Sequence, residues 1–210
     1  MKKIILTAAI STALIASSVY AAGPATSGLV LSGEGSYSVI TDTYDANGVK
    51  TSSSTGFGLG GYVGYDYAIT DHVTIGAKTG FYHSFGLGKG SLGGNTMKAT
   101  TNNIPLLLNS KYYFNSGLYL GGETGVNFQK IHYSNNLTIE ENNANSNWNA
   151  QYVIGGLVGY QINENVSIDG SLDYMTGNPM YKGQDFAAAN KNNALANVKF
   201  GLAVNYKLPM

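Results

Sequence analysis

The stretch "ALANVKFGLAVNYKL", Ala194 to Leu208, decides the fold. Ala194, Ala196, Val198, Phe200, Leu202, Val204, Tyr206 and Leu208 fall on one face of an extended chain. Leu195, Asn197, Lys199, Gly201, Ala203, Asn205 and Lys207 fall on the other. A period of two over that length predicts one long β-strand whose two faces meet different surroundings. Seven more segments carry the same alternation: Gly28–Ile40, Gly56–Ala68, Val73–Phe85, Thr101–Phe114, Gly117–Gln129, Trp148–Ile162 and Val166–Tyr174.

The connections alternate strictly in length. Long polar stretches, Thr41–Thr55, Gly86–Thr100, Lys130–Asn147 and Met175–Asn193, are separated by tight turns at Ile69–His72, Asn115–Ser116 and Asn163–Asn165. All long loops then lie at one end of an up-and-down sheet, as in membrane barrels with long outer loops and short inner turns. The predicted fold class is all-β, an eight-stranded antiparallel up-and-down transmembrane β-barrel.

The charges say which face is outside. Glu34, Asp66, Lys78, Lys111, Glu123, Asp169, Asp173, Lys199 and Lys207 all share the register opposite the apolar one. On a lipid-facing wall a midplane lysine costs about 2–4 kcal/mol, so these side chains belong in the lumen. Enclosed charges of mixed sign must pair. Glu34, Lys78, Lys111, Glu123, Asp169 and Lys199 are therefore expected to form a salt-bridged lumen network. A soluble barrel would reverse the faces. It does not explain why aromatics such as Tyr65, Tyr67, Tyr112, Phe114, Tyr160 and Tyr206 gather near strand ends, where an interfacial belt would put them. Leu107, Val153 and Leu157 fit poorly, because they fall on the lumen face. Pro105 lacks a ladder donor and is expected at a rim or a bulge.

The first residues read as an address. Lys2 and Lys3 precede the apolar run Ile4–Ala16, and Val19-Tyr20-Ala21 is a small-x-small cleavage site. Residues 1–21 are expected to be a cleaved signal peptide and 22–210 one barrel domain. The run is shorter than the roughly 20 residues of a membrane-spanning helix. There is no cysteine, so an exported chain must hold together through burial and hydrogen bonding. Without Lys2 and Lys3, ten lysines face twelve acids, a balance of −2 that argues against nucleic-acid binding. No arginine is present to grip phosphate or carboxylate bidentately.

"GYVGYDYAITDHVTIGAKTGF" (Gly61–Phe81), with "IPLLLNSKYYF" (Ile104–Phe114) and "GLYLGGETGVNF" (Gly117–Phe128), resembles the hairpins of small bacterial outer-membrane β-barrels of the OmpA transmembrane-domain, OmpX and opacity-protein type. The resemblance implies a plugged eight-stranded barrel in the bacterial outer membrane. Such families commonly end in an aromatic residue; here Pro209 and Met210 follow Tyr206 and Leu208. The expected partners are outer-membrane lipid and lipopolysaccharide, with host or matrix ligands met through the loops, and a monomer is expected. No peptidoglycan-binding domain is expected after the barrel.

Enzyme chemistry has one local signal. "HYSN", His132 to Asn135, places His132 and Ser134 two apart on one face of a strand, where an imidazole can activate a hydroxyl. Glu140 or Glu141 would orient the ring. The segment resembles the His-x-Ser-Asn stretch of outer-membrane lipid A 3-O-deacylases, with His132, Ser134 and Glu140 as the catalytic candidates. The competing reading makes them ordinary loop residues. Three scattered histidines without cysteine give no metal site and no cofactor is expected. "GLGKGSLGG" (Gly86–Gly94) lacks the strand-loop-helix setting of a phosphate loop. The reading reached is a non-enzymatic surface barrel, structural or adhesive through its loops. A narrow channel for ions or small apolar solutes and a deacylase remain as alternatives.

Overall fold

The computed structural model describes residues 25–40, 45–46, 49–50, 54–86, 89–92, 95–135, 148–177 and 197–209. The proposed leader and Glu140 lie outside the described residues. Eight long strands form the wall: β1 (Gly28–Ile40), β2 (Ser54–Thr70), β3 (Val73–Phe85), β4 (Asn95–Tyr113), β5 (Leu118–Asn135), β6 (Asn149–Gln161), β7 (Val166–Gly177) and β8 (Asn197–Pro209). Each pairs antiparallel with its sequence neighbours, and β1 also pairs with β8 from Gly28↔Pro209 to Ile40↔Asn197. The sheet thereby closes, and no edge of the wall is left unpaired.

Two features differ from the sequence reading. The β4–β5 ladder continues past Thr101↔Ile131 to Met97↔Asn135, where loops were expected. His132 and Ser134 continue the outward register of β5, so the alternation runs past the boundary that the sequence reading set at Gln129. Pro105 sits inside β4, not at a rim. The β3–β4 ladder skips its position and resumes in unchanged register at Tyr82↔Asn103, so there is no bulge. Thr79 Oγ1 donates to the Pro105 carbonyl at 2.8 Å and bridges the interruption.

The tight turns close the opposite end. Gly117 takes φ +85°, a left-handed conformation that glycine adopts without strain, and its N–H donates to the Phe114 carbonyl at 3.1 Å. Asn163 Oδ1 accepts from the N–H groups of Asn165 and Val166, both at 2.9 Å, an Asx-type turn. The segment before β1 folds across this mouth. Ala25 N–H donates to the Asp71 carbonyl, Ser27 Oγ accepts from Ala68 N–H, and Ala25 packs on Tyr113 and Tyr119.

Inward glycines let a narrow barrel hold long side chains. Gly64 lies opposite Lys78, Gly76 opposite Asp66, Gly121 opposite Lys111, Gly155 opposite Asp173 and Gly159 opposite Tyr119. A Cβ on Gly159 would overlap the Tyr119 ring, whereas one on outward Gly156 of the same strand would meet nothing. Gly159→Val is therefore expected to destabilise by about 1–3 kcal/mol through overpacking. Gly156→Val should stay within about 0.5 kcal/mol of wild type. Urea unfolding in lipid vesicles checks the pair; equal costs would contradict this packing.

Candidate functional site

The lumen is built from the polar register. Lys199 Nζ lies 2.8 Å from Glu34 Oε1 and 3.2 Å from Asp173 Oδ2, bringing β1, β7 and β8 together. Tyr62 OH donates to the same Glu34 oxygen at 3.2 Å. The Lys199 ammonium also stands 5.2 Å from the Tyr82 ring centre and 5.8 Å from that of Tyr62, within cation–π range. Lys78 pairs with Glu123 at 2.6 Å across the lumen from β3 to β5. Nearer the turn end, Lys111 and Lys207 share Asp66 Oδ2 at 3.1 and 3.3 Å.

Five of the six residues grouped from sequence, Glu34, Lys78, Lys111, Glu123 and Lys199, thus sit in ion pairs; the Lys199 and Lys78 groups meet where the Asp173 and Glu123 carboxyls touch, and the Lys111 group lies apart from them. Asp169 is buried in the same lumen, yet none of the ion pairs among the described residues includes it, and its Oδ1 has no hydrogen-bond partner. The reason is geometric: Lys111 gives its ammonium to Asp66. Asp66, Asp173 and Lys207 complete the clusters.

Two groups were missed from sequence. Tyr62, Tyr82, Tyr113 and Tyr119 are buried inside the lumen, and the sequence reading assigns them no role. Their position in the inward register was the available signal. Toward the long-loop end an uncharged layer replaces the ions. Asn127 Nδ2 donates to Asn103 Oδ1 at 3.1 Å and Gln151 Oε1 at 3.0 Å, and Gln129 Nε2 donates to Asn103 Oδ1 at 3.1 Å. Leu107, Val153 and Met175, buried with Tyr62 and Tyr82, supply the apolar remainder of the plug. Leu107 and Val153 are lumen filling, not misplaced wall residues.

Free space is correspondingly small. The larger enclosed cavity, bordered by Glu34, Asp66, Lys78, Lys111 and Asp169, has about 30 Å³ of room, enough for one or two waters. A second, by Lys111, Tyr113 and Lys207, has about 20 Å³.

The other candidates are placed as follows. The β4–β5 pairing sets His132 opposite Thr100 and Ser134 opposite Lys98. His83 Nδ1 lies 2.6 Å from Asn102 Oδ1, and His72 Nδ1 lies 3.1 Å from the Tyr113 carbonyl. Among the described residues no group of three or more His, Asp or Glu side chains could hold a metal ion.

The outer wall is apolar. Leu59, Leu106, Leu108, Ile154, Leu172, Leu202 and Val204 are all at least half exposed, which a water-soluble wall of this extent would not tolerate. Along β8 the outward apolar residues run from Val198 to Leu208, about ten residues at ~3.4 Å each. With a tilt of about 40° they cover about 25 Å, the height of a barrel's lipid-facing band.

No protein-family model and no curated protein matches the sequence. Solved structures do. The Ail attachment invasion locus protein of Yersinia pestis superposes with a TM-score of 0.53 at 13% identity, covering 88% of this chain and 100% of that one. Neisserial surface protein A superposes with a TM-score of 0.56 at 11% identity, also over 88% of this chain and 100% of that one. The fold is that of the small outer-membrane β-barrels. At such identities the likeness extends to architecture alone. Within this barrel fold the exposed apolar band is the lipid-facing wall, and the ion pairs with the amide layer are the fill of the lumen. The four long connections join strand ends at one rim.

Proposed function

We propose that this chain is a non-enzymatic, monomeric surface barrel of the bacterial outer membrane that carries its activity on the four long connections rather than in its lumen. The observation that supports this reading is the filled interior: among the described residues, ion pairs and an amide layer leave lumen cavities of about 30 and 20 Å³. A rigid, sealed barrel is a scaffold on which polar loops such as "NNLTIEENNANSN" contact host, matrix or phage components. The likeness to a protein named for attachment and invasion is compatible with an adhesive role.

The channel reading needs a continuous path, and the lumen cavities bordered by the described residues hold only about 30 and 20 Å³. In planar bilayers the purified barrel is expected to give no unitary conductance steps. Stable steps abolished by substitutions in the lumen would overturn the sealed reading. Exchanging the loops between Thr41 and Thr55 or between Lys130 and Asn147 for short turns should abolish surface adhesion while the barrel still inserts. Unchanged adhesion would remove the loops from the account. Lipid A extracted from expressing cells should keep all its acyl chains; loss of one, abolished by Ser134→Ala, would establish the deacylase instead.

A further inference from the structure

The turn-side mouth of the barrel is covered by chain that belongs to no strand. Residues 25–27 precede β1 and cross this mouth without forming a rung of any ladder. Three hydrogen bonds hold them. Ala25 N–H donates to the Asp71 carbonyl at 2.8 Å, Ser27 Oγ accepts from Ala68 N–H at 2.9 Å, and the Thr26 carbonyl accepts from Lys207 Nζ at 2.9 Å. The apolar anchor is a single methyl group, that of Ala25 against Tyr113, Tyr119 and Ala68. These contacts can break together and leave the wall closed, because its first rung is Gly28↔Pro209. Segments held in this way open locally at far less cost than global unfolding.

Lys207 joins this segment to the lumen. Its ammonium stands between the Thr26 carbonyl and Asp66 Oδ2, 3.3 Å away, and Lys111 holds the same carboxylate oxygen at 3.1 Å. The last tight turn fixes the Lys207 backbone: its N–H donates to the Asn165 carbonyl at 2.6 Å, and Asn165 Nδ2 donates to the Lys207 carbonyl at 2.7 Å. The side chain can therefore let go of Thr26 while the strand stays in place. Directly behind lies the cavity of about 20 Å³, bordered by Thr26, Val30, Asp66, Lys111 and Lys207. Val30, Asp66 and Lys111 also border the cavity of about 30 Å³ beside Asp169. Farther toward the long loops, the apolar cluster of Tyr62, Tyr82, Leu107, Val153 and Met175 fills the lumen.

We infer that residues 25–27 form a hinged strap that opens and closes the turn-side half of the lumen, with Lys207 as its latch. An open strap admits water and small polar solutes as far as Asp66, Lys111 and Asp169, and the apolar cluster prevents passage through the barrel. The inference rests on the sealed-lumen reading and is independent of what the long connections bind.

The chain has no cysteine, so single introduced thiols report access cleanly. Val30→Cys places one under the strap, and Ser38→Cys places one beyond the apolar cluster; both native side chains are buried. The full barrel is refolded into phosphatidylcholine nanodiscs, which leave both mouths open to solution. Mass spectrometry then follows modification by a small methanethiosulfonate. With the strap intact, the Val30→Cys thiol should react slowly. Adding Lys207→Met, which removes the latch, should speed the reaction about tenfold, the scale of one charge-assisted hydrogen bond in an opening equilibrium. Adding Ala25→Asp, which sets a carboxylate against two tyrosine rings, should speed it at least as much. The Ser38→Cys thiol should keep one rate throughout. A Val30→Cys rate indifferent to both substitutions, or already fast with the strap intact, would overturn the strap alone. Acceleration at Ser38→Cys as well would overturn the sealed lumen with it. A heat-dependent gel shift reports a folded barrel in each sample, and Ser27→Ala, expected to act in the same direction, replaces any variant that loses the shift.

Discussion

Lys199→Met should cost the folded barrel about 3–5 kcal/mol, the scale for removing one partner of a buried ion pair. The ammonium is 3% exposed and stands between Glu34 and Asp173, which are themselves buried. Its removal leaves two buried carboxylates without their ion-pair partner and strips the Tyr82 ring of its cation, while Tyr62 keeps Lys78 at 5.4 Å. The same geometry requires the loss to be largely reversible. With Glu34→Gln and Asp173→Asn added, the orphaned charges disappear, and most of the lost stability should return. Urea unfolding in lipid vesicles, run as a mutant cycle, measures both. A single mutant within about 1 kcal/mol of wild type would mean that water already screens Lys199, as at a surface pair.

The second large effect lies on the wall. Leu202 is 57% exposed, near the centre of the apolar band of β8. Leu202→Lys should cost about 2–4 kcal/mol, and Leu208→Lys at the band's inner edge about 0–1 kcal/mol, because the penalty follows depth in the hydrocarbon. A barrel standing in water would show the reverse preference, since an exposed leucine exchanged for lysine there is neutral or favourable. The gradient between the two positions carries the argument, and a flat response would remove it.

The fold was legible because a closed barrel in lipid imposes a strict rule on sequence. Each wall strand must alternate, and any charge must take the inward register, so Lys199, Lys78 and Glu123 announced their side. Signals that depend on who meets whom across the lumen were not legible. Asp169 shares register and burial with the other acids, but Lys111 reaches Asp66 instead. Tyrosine is ambiguous by chemistry: its hydroxyl suits an interface and its ring suits a plug, and only register separates Tyr65 on the wall from Tyr62 inside. Pro105 departs from its expected place at a rim or bulge. A closed wall tolerates one skipped bond when Thr79 and the unbroken β4–β5 pairing hold the register. In the extension of β5, Ile131 and Tyr133 still alternate with His132 and Ser134, but both registers of β4 from Thr96 to Thr101 carry polar residues, so the sequence reading cut both strands short. His132 and Ser134 drew attention through their spacing on one strand face and a local resemblance, and the β4–β5 pairing sets them opposite Thr100 and Lys98.

The inverted polarity of this barrel can be read with a single tryptophan. In a Trp148→Phe background, tryptophan placed at Leu202 or Leu106 reports which medium touches the wall. Phosphatidylcholines brominated near the middle of their chains should quench both positions strongly, and aqueous iodide should quench neither. Strong iodide quenching with no response to brominated lipid would put water where this account puts acyl chains.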